Sequence, residues 1–263
     1  MERNIELIFK TSPLLIAGNK LFLSAYDGEM FEYDLLNENL YSRQFDFVFA
    51  CDLFSLFQEA VNEQYRCSIY MYGQRKEVFI EGLIEDITLI YHKNSCDLFL
   101  YTDKKTMAIS LSSLKQAMMD VREISTGDAI QPGSIHMDNG TIVDLSRKTI
   151  SYAYLNEVFT YDAILSISEA GVLCQIETEF GMDAYLVSPK NDQFERLELN
   201  GANVYAACYD NTSTQYYFSV AEKGQQQIIT LRDSGVQPVC ASEELYGTVT
   251  PFIADAQIAL YIT

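Results

Sequence analysis

The chain has 263 residues, with 37 Asp and Glu against 18 Lys and Arg, giving a formal charge of -19 at neutral pH. Hydrophobic residues make up 48% and charged residues 21%, too apolar a mixture for a chain held open by its own charge, and the length allows a core to be buried in one domain. An acidic excess of this size repels phosphate backbones and anionic lipid. No nucleic acid and no membrane are therefore expected as partners, while a basic protein, a cation or a sugar stays open.

The N-terminal stretch Met1 to Lys10 places Glu2 and Glu6 around a short apolar run, with no basic segment leading into a long apolar one, so it does not read as a secretory signal. No stretch reaches the roughly 18 consecutive apolar residues of a spanning helix. Six cysteines, Cys51, Cys67, Cys96, Cys174, Cys208 and Cys240, are scattered without CxxC or close Cys/His spacing. They read as reduced thiols in the core of a cytoplasmic protein, with no metal and no cofactor.

In chain order, Lys20 to Leu35 comes first: two short apolar and aromatic runs flank Asp27-Gly28, a pair that tolerates the positive φ of a tight hairpin. Asp52 to Asn62 reads as a short helix, with Asp52 as its cap and Leu53, Leu56, Phe57 and Ala60 as its apolar stripe. Further hairpins are expected from Cys67–Tyr72 with Glu77–Leu83, and from Asp97–Tyr101 with Thr106–Leu111. A second short helix, Leu114 to Val121, is capped by Ser112 or Ser113. Three more pairs follow: Thr141–Leu145 with Thr149–Tyr154, Leu173–Thr178 with Asp183–Val187, and Gln215–Val220 with Gln226–Leu231.

A strand-like run precedes most of these pairs, as in Leu14–Ala17, Ile87–Tyr91, Ile135–Met137, Ile164–Ile167, Val204–Cys208 and Pro251–Ile253. The units recur about every 40 residues, a spacing typical of blade-like repeats. Runs such as Leu98-Phe99-Leu100-Tyr101 and Tyr216-Tyr217-Phe218 are apolar on both faces. A sandwich buries one face of each sheet, whereas a propeller blade packs between two neighbours and buries both. The expected fold is all-β: a single-domain six- or seven-bladed β-propeller of antiparallel meander blades over residues 1–263, with one or two short helical insertions. Its N- and C-terminal strands, Ile5–Phe9 with Val249–Ile253 and Gln257–Ile262, are expected to close the ring and remove two exposed edges.

Asp27-Gly28-Glu29-Met30-Phe31-Glu32-Tyr33-Asp34-Leu35 resembles the Asp-Gly-x-x-aromatic-x-x-Asp-Leu hairpins of quinoprotein-like and YVTN-type β-propellers, over about 20 residues. The resemblance implies the fold and carries no ligand. The chain has no Trp, so the tryptophans of quinoprotein repeats and the Trp-Asp pair of WD repeats are absent, and paired kelch glycines do not recur.

Neither GxxxxGK[ST] nor GxGxxG nor GxSxG occurs, and the two histidines, His92 and His136, leave little material for a nucleophilic triad. The DxDxDG calcium loop is also absent. Ser24-Ala25-Tyr26-Asp27-Gly28 departs from the sialidase Asp-box pattern Ser-x-Asp-x-Gly by one residue too many between Ser and Asp. The remaining signal is a ring of turns joining second to third strands, which a propeller gathers on one face. Tyr26, Asp27, Tyr72, Asp103, Glu179 and Glu222 are the expected partner-binding residues on that rim, diluted by Arg75, Lys104, Arg147 and Lys223. The functional expectation is a non-catalytic, monomeric scaffold, adaptor or inhibitor presenting an acidic surface to a basic protein. Immunity proteins against nuclease toxins are an analogy of charge. The alternatives are a carboxylate-based glycosidase or lyase with its site in the central funnel, and a structural subunit of a larger complex.

Overall fold

The computed structural model describes residues 12–17, 20–24, 30–34, 37, 39–43, 45–71, 74–92, 95–111, 121–124, 130–153, 157–189, 195–222, 225–232, 235–241, 249–254 and 257–262. Short antiparallel meanders follow one another along the chain. The first is β1 (Ser12–Ala17), β2 (Lys20–Ser24), β3 (Met30–Asp34) and β4 (Asn39–Arg43), paired in sequence order. The second is β5 (Asp46–Ala50), β6 (Ser55–Val61), β7 (Gln64–Met71) and β8 (Gln74–Ile80). Two more, β9 (Ile84–His92), β10 (Ser95–Thr102), β11 (Thr106–Ser110), β12 (Val121–Ile124) and β13 (Ser134–His136), β14 (Ile142–Asp144), β15 (Thr149–Tyr152), β16 (Glu157–Thr160), share one eight-stranded sheet. Then come β17 (Ala163–Ser168), β18 (Gly171–Thr178), β19 (Gly181–Val187), β20 (Glu195–Arg196), and β21 (Asn203–Asp210), β22 (Gln215–Glu222), β23 (Gln225–Arg232), β24 (Gly235–Ala241). The pair β25 (Val249–Ala254) and β26 (Gln257–Ile262) ends the described chain.

This is an all-β propeller, but not one of six or seven like blades. Four sheets are self-contained four-stranded blades, one sheet has eight strands and one has two. The eight-stranded sheet arises because the first strands β9 and β13 run parallel and hydrogen-bond to each other, Ser134 opposite Thr88 and His136 opposite Ile90. First strands of neighbouring meanders run in the same direction around a propeller axis, and here they approach to pairing distance. At the ring's seam β25 lies beside β21 and β22 on one side and β1 on the other. The expected Ile5–Phe9 strand lies outside the described residues.

Both faces of the blades are buried, as the aromatic runs require. Leu98, Phe99 and Leu100 are consecutive and all buried, as are Tyr216, Tyr217 and Phe218. The packing between the first two blades is aromatic: Phe22 meets Phe57 with ring centroids 4.6 Å apart and Tyr70 at 5.0 Å, geometry that adds to area burial. A larger core continues from β6 and β7 through the eight-stranded sheet to β18 and β19, and a third apolar cluster joins that blade to β21–β23.

The expected helix at 52–62 is instead a turn followed by β6. Leu56 and Phe57 are adjacent and both fully buried, because one faces each neighbouring sheet. A strand covered on both sides mimics the apolar spacing of a helix, and the misreading follows from that. Most of the second helical expectation, over 114–121, lies outside the described residues; Val121 itself begins β12.

A repeat absent from the composition is visible in the backbone. The first strands β1, β5, β9, β17 and β21 each carry a bulge, leaving Leu14, Val48, Glu85, Leu165 and Tyr205 as the extra residue. Bulges sharpen the local twist, which suits an inner strand that turns steeply about the axis.

Candidate functional site

Alternating strand direction sorts the turns onto two faces. Second-to-third turns and the beginnings of the first strands share one face, here called the turn face; first-to-second and third-to-fourth turns share the other. Asp103 and Glu179 are exposed in second-to-third turns, between β10 and β11 and between β18 and β19. Glu222 ends β22, paired with Gln225 across the corresponding turn. Tyr26, Asp27 and Tyr72 lie outside the described residues. Arg75, near the start of the fourth strand β8, lies on the opposite face. The second-to-third turn of that blade is Asn62-Glu63, with Asn62 at φ 58°. The helix reading had hidden β6 and shifted the strand count by one.

The turn face carries more carboxylates than the sequence rim contained. Glu81 leads into β9, and Glu85 and Asp86 lie at its start, near Asp103, whose Oδ1 accepts the Leu83 N–H at 3.0 Å. Asp86 Oδ1 accepts its neighbour Ile87 N–H at 2.8 Å. Lys105 sits between Glu81 at 3.8 Å and Glu123 at 3.5 Å, so this cation is shared by two acids. Further round, the Lys148 ammonium donates to the Asp162 carbonyl oxygen at 2.8 Å, the Asp162 carboxylate accepts the Glu177 N–H at 2.6 Å, and the side chains of Glu177 and Glu179 are exposed at the end of β18 and in the turn after it.

The same face holds exposed apolar groups. Leu83 precedes β9, Tyr205 is the bulge residue of β21, and Phe180 tips the β18–β19 turn with 91% of its surface exposed.

The opposite face is closed at its centre by a residue that the sequence reading had assigned to a helix cap. Asp52, in the β5–β6 turn, accepts the Ser166 hydroxyl of β17 and the Tyr209 N–H of β21 at 2.9 Å on the same oxygen. Its own N–H donates to Ile167 O at 3.0 Å, and Asn211 Nδ2 donates to its carbonyl oxygen at 3.3 Å. One turn of the second meander thus touches two meanders more than 100 positions along. Tyr91 of β9 joins in by donating to Ser168 O at 2.7 Å, and the Ser168 hydroxyl meets Tyr216 OH at 2.8 Å. Leu53 and Phe54 fill the space beneath.

Burial pushes the Asp52 carboxyl up to about 7, against the opposing pull of its Ser166 and Tyr209 hydrogen bonds. The same burial lifts the Cys51 thiol to about 12 and holds Cys96 and Cys208 well above a thiol's usual value. Raised pKa values leave these thiols poor nucleophiles, and Asp52 itself is only partly buried, with Leu53 and Phe54 beside it buried. A lone acid in the apolar run Phe47 to Phe57 was the available sequence signal.

Neither histidine builds a hydrolytic centre. His92 Nε2 faces Asp97 at 3.2 Å on the surface, and His136 Nε2 meets the Ser134 hydroxyl at 2.8 Å, but Ser134 is fully buried and out of reach of a substrate carbonyl. Among the described residues no three His, Cys, Asp or Glu converge as a metal site, and no helix is long and apolar enough to cross a membrane.

No family model and no curated protein matches the chain. Solved structures match its fold at low identity. The Cps50 (Swd1) β-propeller domain of Myceliophteria thermophila is 11% identical, with a TM-score of 0.47 over 98% of this chain and 95% of that one. Hsv2 of Kluyveromyces lactis is 7% identical, with a TM-score of 0.39 over 94% of this chain and 87% of that one. A putative TolB of Agrobacterium tumefaciens is 9% identical, with a TM-score of 0.37 over 88% and 80%. At these scores the likenesses carry no functional argument. The chain's own sheets define its class: a degenerate β-propeller that falls in no specific family.

Proposed function

We propose that this propeller is a non-catalytic scaffold, adaptor or inhibitor that binds a basic protein on its turn face. The observation that carries the reading is the coincidence, in a chain of charge -19, of Glu63, Glu81, Glu85, Asp103 and Glu179 with the exposed Leu83, Phe180 and Tyr205 on one face. Charged rims steer encounter and desolvated apolar groups hold the complex, so the two together suit protein recognition. Phosphate backbones and anionic membranes are disfavoured by the same charge. A glycosidase needs an open funnel lined by carboxylates, whereas the buried apolar side chains of Leu53 and Phe54 sit where the β5–β6 turn crosses to β17 and β21, which supports the scaffold over that alternative.

Monomeric action in the cytoplasm belongs to this reading. It is supported by mutual repulsion between equally charged copies and by five free cysteines among the described residues.

The test is affinity purification from the native host on the immobilised chain, at low and at high salt, with the retained proteins identified. A basic protein held at low salt and released at high salt is the expected result, because screening weakens exposed charge pairs. Recovery of no basic protein at low salt would contradict the proposal.

A further inference from the structure

We propose that the Phe180 turn is the anchor of the docking face, and that its occupant is an arginine- or lysine-rich segment of a partner protein whose cations stack on Phe180 and Tyr205 and pair with Glu177 and Glu179. This rests on the acidic-face reading above and adds to it the place and the chemistry of contact.

Eight large hydrophobic residues are exposed among the described ones, and they fall into two groups. Leu40, Tyr41, Phe79, Val158 and Val239 lie on β4, β8, β16 and β24, the outermost strands, where an edge has one uncovered side by construction. Leu83, Phe180 and Tyr205 have no such excuse and all lie on the turn face. Phe180 is the most exposed of the eight, at the tip of a turn whose conformation does not require an aromatic ring.

The turn is held rigidly. Phe180 N–H donates to Thr178 Oγ1 at 3.3 Å, and that hydroxyl donates to Gly181 O at 3.0 Å. Gly181 has φ 127°, and a Cβ there would meet Asn203 Oδ1 at 2.9 Å. The same Asn203 oxygen accepts Met182 N–H at 3.4 Å, so the turn is docked on β21 two residues before Tyr205. A ring presented by a fixed backbone loses little entropy on binding, which is the property of an interface anchor.

The surrounding charge selects the occupant. Arg196, the nearest arginine on this blade, is held by both carboxylate oxygens of Asp183 at 3.0 Å. The Lys148 ammonium is engaged by the Asp162 carbonyl oxygen, and among the described residues no salt bridge involves Glu177 or Glu179. A second copy of this chain would bring -19 of its own to the contact and be repelled. A guanidinium or ammonium over an exposed ring gains cation–π attraction and finds carboxylates beside it, so one basic segment satisfies both features.

The experiment measures fluorescence anisotropy of a labelled peptide of alternating arginine and glycine at low ionic strength. Binding is compared for the wild type, Phe180→Ala, Tyr205→Ala and the outer-strand control Phe79→Ala, each checked by thermal melting. The expected result is weakening by about fivefold or more for Phe180→Ala, a smaller loss for Tyr205→Ala and no change for Phe79→Ala. Wild-type binding that Phe180→Ala leaves intact, or that Phe79→Ala weakens equally, overturns the anchor while the acidic face stands. Failure of the wild type to bind the peptide at all overturns both.

Discussion

Two turns of this molecule carry nearly the same residues and meet opposite fates. Asp52-Leu53-Phe54 joins first to second strands near the axis, and Glu179-Phe180 joins second to third strands at the turn face. Phe54 is 2% exposed and Phe180 is 91% exposed. Asp52 is tied to two distant meanders, whereas Glu179 stands in solvent. Position in the meander, rather than residue type, decides whether a phenylalanine near an acid becomes part of the core or part of a surface.

The sharpest way to break that comparison is to truncate both rings. Phe54→Ala is expected to cost about 3 to 5 kcal/mol in urea unfolding, the range for a large buried ring replaced by a cavity. Phe180→Ala is expected to stay within about 0.5 kcal/mol, as surface changes do. Comparable losses at the two sites would contradict the burial described for Phe54.

The second prediction concerns Asp52 itself. Its carboxyl ionises near 3.8 in the unfolded chain and near 7 in the fold, so between these values the folded state holds the extra proton. Its contribution to stability is full below about pH 4, falls as pH rises, and is lost above pH 7, a swing on the order of a few kcal/mol. Asp52→Asn keeps an acceptor for Ser166 and Tyr209 without the charge. Relative to wild type it should gain stability as pH is raised from 5 to 8, measured as the shift in urea midpoint. A constant difference across that range would show that Asp52 does not titrate there.

The extent to which this was legible in sequence follows the same division. The inner strands were readable because apolar runs such as Ile164–Ile167 and Val204–Cys208 fall in β17 and β21, and hairpin pairs such as Leu173–Thr178 with Asp183–Val187 pair in register. Outer strands left little trace: β20 is only Glu195–Arg196, both exposed, with no periodicity to find. The strand β6 reads as a helix in sequence because both of its faces are covered, and that reading leaves Asn62-Glu63 out of the second-to-third turns. The number of like blades was not recoverable from spacing, since fusion of the β9 and β13 meanders depends on how closely two inner strands approach.

Of the candidate site, Asp103 and Glu179 were legible as turn acids on the expected face. The junction at Asp52 was not, because its partners Ser166 and Tyr209 are 114 and 157 positions away and share no motif with it. Phe180 is illegible for a different reason: an aromatic residue beside a turn normally signals a strand end, whereas here the ring is 91% exposed.

The central claim is that the turn face, rather than net charge at large, holds the partner. Native extract passed at low salt over immobilised wild type, Glu85→Gln/Glu179→Gln and Asp138→Asn/Glu169→Gln compares equal changes of charge on the two faces. The basic protein retained by the wild type is expected to be kept by the Asp138/Glu169 variant and depleted on the Glu85/Glu179 variant. Equal depletion on both columns would contradict it.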